Sequence, residues 1–261
     1  DAKKIITNKT KAIMAVHYGS NPANIEQLYD FAKINNLRVI EDAAHAFGCK
    51  YKGKKIGSFG DIVCFSFDGI KNITSGEGGA IITKDLNVLS IVKDARLLST
   101  ENDSEKRYLG KRSWDFDVKR QGYRYHMSNV FAAIGRVQLS RFDAEFAPKR
   151  ISLLNKYKEL LSENQLVVFQ KQETESYLVP HICSIRILGN MRDELKEILE
   201  SNNIPTGIHY KPNHLLSFYK SSYSLPLTEQ AYGEILTLPL HPEIEILEVE
   251  QICHIININL K

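Results

Sequence analysis

Apolar and polar positions follow two regimes along this chain. From residue 11 to about residue 140, short apolar runs take turns with longer segments whose apolar residues recur every three to four positions. Ala12-Ile13-Met14-Ala15-Val16 is the first run, short and continuous as a buried parallel strand is. Ile25, Leu28, Phe31 and Ala32 then repeat at helical spacing behind Asn24, a good N-cap, which predicts a helix over 24–35. Leu37 to Ile40 predicts the next strand, Ile62 to Phe67 another, and Ala80 to Thr83 a further one after a glycine-rich turn. Segments 86–98, 128–139 and 150–161 read as helices. A strand–helix–strand unit at the front implies a parallel pair, and the short later loops suit antiparallel additions.

Past Asn164 the alternation loosens. Leu166 to Phe169 and Tyr177 to Ile187 read as strands, and 191–201 and 244–258 as helices. Strands and helices without tight alternation predict a smaller α+β unit. The reading is therefore a large α/β domain over 1–147 and a small C-terminal α+β domain over 148–261.

Composition narrows the picture by exclusion. With 261 residues, 43% hydrophobic and 25% charged, the chain is large enough for a substantial core. A net charge of +3 gives no reason to expect nucleic acid or a membrane as partner. The basic residues Lys106-Arg107 and Lys111-Arg112 lie in a polar stretch, 101–119, that reads as a solvated loop. Cys49, Cys64, Cys183 and Cys253 form no CxxC pair, and Cys64, inside an apolar run, reads as a small core residue. No run approaches membrane-spanning length and no signal peptide opens the chain, so a cytoplasmic setting is expected.

The candidate chemistry sits at two predicted strand ends. Lys71 follows Cys64-Phe65-Ser66-Phe67 and precedes Gly76-Glu77-Gly78-Gly79. Asp42 follows Val39-Ile40. An amine and a carboxylate so placed suit pyridoxal 5'-phosphate, which needs a lysine on its aldehyde and an acid on its pyridinium nitrogen. A strand-end hydroxyl such as Ser66 can donate to a phosphate, and glycines let backbone approach a ligand closely. Each residue has a plainer reading. Lys71 alone would be a surface lysine, Asp42 the N-cap of a helix through Ala43, Ala44 and Ala46, and His45 a core histidine. Asp42 and His45 as metal ligands lack the further His or Cys partners a closed site needs.

The motifs taken together add a resemblance. Val39-Ile40-Glu41-Asp42-Ala43-Ala44-His45-Ala46-Phe47-Gly48, Gly57-Ser58-Phe59-Gly60-Asp61, Phe65-Ser66-Phe67 through Lys71-Asn72, and Gly76-Glu77-Gly78-Gly79 appear in order. Gly122-Tyr123-Arg124-Tyr125-His126-Met127-Ser128, Ile208-His209-Tyr210-Lys211-Pro212 and Leu238-Pro239-Leu240-His241-Pro242 follow. In this order they resemble the DegT/DnrJ/EryC1/StrS family of pyridoxal-phosphate aminotransferases acting on nucleotide-linked keto sugars. No single motif among them is specific; the ordered set is, and it covers essentially the whole chain.

The resemblance implies a fold-type-I aminotransferase architecture and a homodimer whose site draws on both subunits. It implies that Lys71 is the Schiff-base lysine and proton shuttle, that Asp42 pairs with the pyridine nitrogen, that His45 lies near the ring oxygen and that Ser66 binds the phosphate. Arg124 stands where the family usually has an asparagine reaching the partner subunit's cofactor phosphate. His209, Tyr210 and His214 fall in a segment expected near the sugar nucleotide. The amino donor is expected to be glutamate, and the product an amino sugar for polysaccharide (O-antigen) or glycoside synthesis. Lysine at position 71 counts against the sugar dehydratases, which carry histidine there. The family also carries a segment ahead of the first strand, with a phosphate-binding turn and a ring-stacking residue. Without it, an exposed sheet edge and an inactive remnant or partner subunit are the alternative expectation.

Overall fold

Capping and strand pairing set the element boundaries in the computed structural model, which describes residues 1–22, 24–100, 109–110, 117–172, 175–221 and 223–261. Strand β1 (Ala12–Val16) leads through helix α1 (Ile25–Ile34) to β2 (Arg38–Asp42). The Asn24 side chain caps α1 by accepting the Gln27 N–H at 3.2 Å, as its sequence position predicts. Strand β2 runs two residues beyond the predicted Ile40, because Glu41 and Asp42 pair with Ala15 and Val16 on one side and with Val63 and Cys64 on the other. A small hairpin that the polarity pattern does not reveal, β3 (Lys50–Tyr51) and β4 (Lys54–Lys55), precedes β5 (Ile62–Ser66) and β6 (Gly79–Thr83). The main sheet has the order β1-β2-β5-β6, with β1, β2 and β5 parallel and β6 antiparallel to β5.

Helix α2 (Leu86–Ala95) is capped by Asp85, whose Oδ1 accepts the N–H groups of Asn87 and Val88. It stops short of the predicted Leu98 because Tyr123 and Tyr125 donate to the carbonyls of Ala95 and Arg96 at 2.6 and 2.9 Å, and Leu98 and Ser99 turn left-handed. The basic stretch 106–112 lies mostly outside the described residues. Helix α3 (Asn129–Arg141), with Ser128 as N-cap, continues through a π-helical turn at Phe142–Phe146 into α4 (Ala147–Leu160).

Beyond α4 come β7 (Val167–Phe169), β8 (Ser176–Tyr177), β9 (Cys183–Ile187), α5 (Arg192–Ser201), α6 (Pro226–Glu234), β10 (Ile235–Leu238) and α7 (Ile246–Asn259). The run 177–187 is thus two strands and not one. Pro180 has no N–H for a ladder, so the chain leaves β8, which pairs with β3, and enters β9 in a different sheet of order β10-β9-β7.

Two apolar clusters form the interior. One gathers Leu153, Tyr157, Ile185, Leu199, Leu236 and Ile256 under α4, α5 and α7. The other gathers Ala43, Cys49, Val63, Phe65, Phe142 and Phe146 beneath the main sheet. Met14, Val16, Ile81 and Ile82 leave apolar side chains exposed on β1 and β6. Cys49, Cys183 and Cys253 are buried free thiols; Cys64, expected in the core, is only half-buried because its strand face opens beside Asp42. Among the described residues no helix is long and apolar enough to cross a membrane.

Candidate active site

Because β1, β2 and β5 are parallel, their carboxyl ends share one edge, where open α/β sheets hold ligands. Asp42 closes β2, and its Oδ1 accepts the Ala44 N–H at 3.0 Å. That bond makes a local turn rather than the helix N-cap that Ala43–Ala46 suggested. Among the described residues no lysine or arginine ion-pairs with this carboxyl group.

His45 is the hub of the site. Its Nδ1 faces the Gly19 N–H at 3.4 Å, its Nε2 lies 3.3 Å from the Tyr210 hydroxyl, and its ring centre is 4.4 Å from that of His181. Burial pushes its pKa down to about 4; Lys71 and His209 push the same way and Asp42 opposes them. The same field joins the other groups. Burial and then Lys71 lower His209, while burial and then Asp42 raise the Tyr210 phenol. Lys71, Asp42, His45, His209 and Tyr210 therefore lie within electrostatic reach of one another, although they come from three separated stretches of sequence.

The loop carrying Lys71 is pinned at both ends. Phe67 donates to the Gly78 carbonyl and Ser75 to the Phe67 carbonyl, each at 2.9 Å, and Lys71 N–H closes a turn on Asp68 at 3.1 Å. Ser66 ends β5 opposite Gly79, and its Oγ accepts the Asp68 N–H at 3.3 Å. Gly79 is required there by close approach, since a Cβ would stand 2.6 Å from the Phe65 carbonyl oxygen. Lys71 lines a cleft of about 540 Å³, walled further by His181, His209, Arg150 and Thr237. His209 is fixed by its Nδ1, 2.9 Å from the Thr237 hydroxyl, and by its carbonyl, which accepts the Tyr18 hydroxyl at 2.5 Å.

Two predicted residues stand apart. Arg124 is exposed and makes an isolated bridge with Leu97, beside the stacked rings of Tyr123 and Tyr125. His214 holds Glu229 at 3.0 Å; of the predicted site residues only Lys71 and His209 line the cleft itself, with Asp42, His45 and Tyr210 beside them and Ser66 at the end of β5. Tyr18, Arg150 and His181 belong to the site without having been singled out in the sequence. The signal for His181 was Pro180, which breaks the apparent strand and turns the chain toward the cleft; Arg150 looked like any charged residue at a helix start.

A nearly parallel α/β sheet that ends one strand in an acid and carries a lysine in the loop after another is the scaffold of a group-transfer site. A profile of the DegT/DnrJ/EryC1/StrS aminotransferase family matches residues 1–257, and the chain belongs to that family. It is 36% identical over 265 residues to GDP-perosamine synthase of Escherichia coli O157:H7, covering 98% of this chain and 68% of that protein. It is 32% identical to the UDP-4-amino-4-deoxy-L-arabinose–oxoglutarate aminotransferase of Shewanella sediminis, covering 95% and 67%. An uncharacterized protein of Methanocaldococcus jannaschii is 36% identical over 253 residues, 93% of this chain and 65% of that one. The chain thus spans about two thirds of the length of these relatives. Among solved structures, DesV of S. venezuelae, in complex with a ketimine intermediate, superposes with a TM-score of 0.89 at 26% identity, over 100% of this chain and 68% of that one. The aminotransferase TlmJ of Streptoalloteichus hindustanus gives 0.89 at 26% identity, over 99% and 68%.

Proposed function

We propose that this chain carries the cofactor site of a pyridoxal 5'-phosphate-dependent aminotransferase. It would move an amino group from glutamate to the keto carbon of a nucleotide-linked deoxy sugar. The carrying observation is the coupling of Lys71 and Asp42 to one buried, neutral histidine at the ends of parallel strands. The residues fit the cofactor. Among the described residues Asp42 has no cationic side-chain partner, which suits a protonated ring nitrogen. His45 stays neutral beside Lys71 and offers a hydrogen bond without adding a competing charge. Ser66 supplies a hydroxyl at the mouth of β5, where a phosphate would meet it.

When bound, the cofactor supplies the electron sink for amino transfer. Lys71 would hold its aldehyde carbon covalently through Nζ and carry the proton that leaves the donor's α-carbon. His209 and Tyr210 would face the sugar. His214, paired with Glu229, would shape the neighbouring segment instead of touching the reacting atoms. Arg124, exposed and not part of this cleft's lining, would reach the cofactor phosphate of a second copy, which makes the working unit a homodimer. We assign residues 1–147 to the cofactor-binding domain and 148–261 to the small one. Nucleotide sugars and free glutamate are cytoplasmic metabolites, so we place the reaction in the cytoplasm, feeding polysaccharide such as O-antigen.

The test is a titration of the purified chain with pyridoxal phosphate, followed by borohydride reduction and peptide mapping. The outcome that supports the reading is a bound-cofactor absorbance with label on Lys71, lost in Lys71→Ala. A folded chain that shows neither band nor label refutes it.

A further inference from the structure

The deep wall of the cleft holds polar groups that the roles above leave idle. Arg150, on the first turn of α4, is 4% exposed. Its Nη1 lies 3.2–3.3 Å from the carbonyl oxygens of Pro180, His181 and Leu240, while its Nε has no hydrogen-bond partner. Burial alone lowers its pKa, to about 10, and among the described residues no acidic side chain pairs with it. Glu243, also on the cleft, acts instead on Arg141, which already holds Glu145. A buried guanidinium without a counter-anion is costly, and an anionic ligand removes that cost.

Two neighbours complete a pattern. His181 is 4% exposed and its Nδ1 has no partner. Burial, helped by His45, Lys71, Arg150 and His209, pushes it down to about 2, so it is a neutral hydrogen-bonding group. Asn72 gives its Nδ2 to the carbonyls of Phe47 and Val179 at 3.1 and 3.0 Å, which leaves its buried Oδ1 unpartnered. Arg150, His181 and Asn72 thus line one wall beside Lys71, so that this wall carries a cation next to a neutral imidazole.

We propose that Arg150 and His181 form the subsite that receives a carboxylate of the amino donor. The inference rests on the aminotransferase reading and deepens it by naming what selects the donor. One guanidinium flanked by neutral histidines balances a single carboxylate better than a diphosphate, whose two or more charges would demand further cations. Arg150 is therefore a donor-binding residue, and the nucleotide part of the second substrate belongs elsewhere in the cleft.

The probe is glutarate, a dicarboxylate with no amine to react, titrated by calorimetry into the full chain with and without pyridoxal phosphate. Arg150→Gln is expected to weaken glutarate tenfold to a hundredfold while label on Lys71 persists. Arg150→Lys, which keeps the charge, is expected to restore part of the loss. The wild-type chain gives a measurement independent of any folding defect: the neutral diamide glutaramide should bind at least tenfold more weakly than glutarate. Equal binding of glutarate and its diamide, or unchanged glutarate affinity in folded Arg150→Gln, overturns the proposal. So does UDP displacing glutarate and losing affinity equally in the variant, which would assign the wall to the nucleotide. If no cofactor binds but glutarate still depends on Arg150, the aminotransferase reading fails and the carboxylate site stands.

Discussion

Removing one hydroxyl behind the strand that ends in Asp42 tests how the site is held. Tyr29, on α1, donates to Oε1 of Glu41 at 2.7 Å and accepts the Asp61 N–H at 2.7 Å. Glu41 is 0% exposed, and its other oxygen lies 2.9 Å from Nε2 of His17, also 0% exposed. His17 in turn gives its backbone N–H to the Asp42 carbonyl at 3.0 Å. Burial and the bond to Glu41 push the Tyr29 phenol well above its usual range, so it remains a donor across the working pH range. Tyr29→Phe deletes both bonds without a large change in volume. A lost hydrogen bond to a strongly polar partner costs about 1.5–3 kcal/mol and a stranded amide about 1–3. Since Tyr29 is half-buried and water can repair part of the loss, the net expectation is about 2–4 kcal/mol. In urea, with a slope of about 3 kcal/mol/M, that lowers the unfolding midpoint by about 1 M at unchanged slope. A midpoint shift below about 0.2 M at unchanged slope would refute the claim that this network supports the end of β2.

Four further outcomes follow from the structure. Gly60→Ala places a Cβ 2.4 Å from Glu41 Oε1 and 2.8 Å from the Tyr29 hydroxyl at a φ of +102°, so it should destabilise at least as much as Tyr29→Phe. Because both changes strike one network, the double variant should lose less in urea than the sum of the two. His45 and His181 have folded pKa values of about 4 and about 2, below the unfolded 6.5. The unfolded chain therefore takes up protons first, and their stability contribution is complete above about 6.5 and lost as pH falls through that value toward 4 and below. Urea midpoints should drop across that window, and His45→Gln should flatten the upper part of the slope. Finally, burial raises the thiols of Cys49 and Cys253 to about 12 and Cys183 further still, so a thiol reagent at mild alkaline pH should leave these three unmodified until the chain is unfolded.

What could be read from the sequence was what is encoded locally. The cap at Asn24, the apolar run 62–67, of which Ile62–Ser66 forms β5, and the placement of Lys71 and Asp42 just past or at strand ends depend on neighbours a few positions away. Boundaries failed where a distant partner decided them. α2 stops at Ala95 because Tyr123 and Tyr125 capture its last carbonyls, and no residue near Leu98 announces that.

The same distinction divides the site. Lys71 and Asp42 carry their chemistry in their own side chains, and short motifs flag them. Arg150 and His181 matter because of burial and missing partners, quantities that arise only once α4, the turn at Pro180 and β10 meet. Glu41 shows the point most sharply. In sequence it is simply the residue before Asp42; strand alternation sends it to the opposite face, where it meets His17 and Tyr29. The Gly57–Asp61 motif then acquires a cause: Gly60 leaves room for that carboxyl group, and Asp61 both closes the network and grips Arg38 through two hydrogen bonds of 2.5 and 2.6 Å. The motif is therefore a support for the strand that ends in Asp42. Variants there should change stability and cofactor affinity together, whereas variants of Arg150 should move donor affinity and leave label on Lys71 in place.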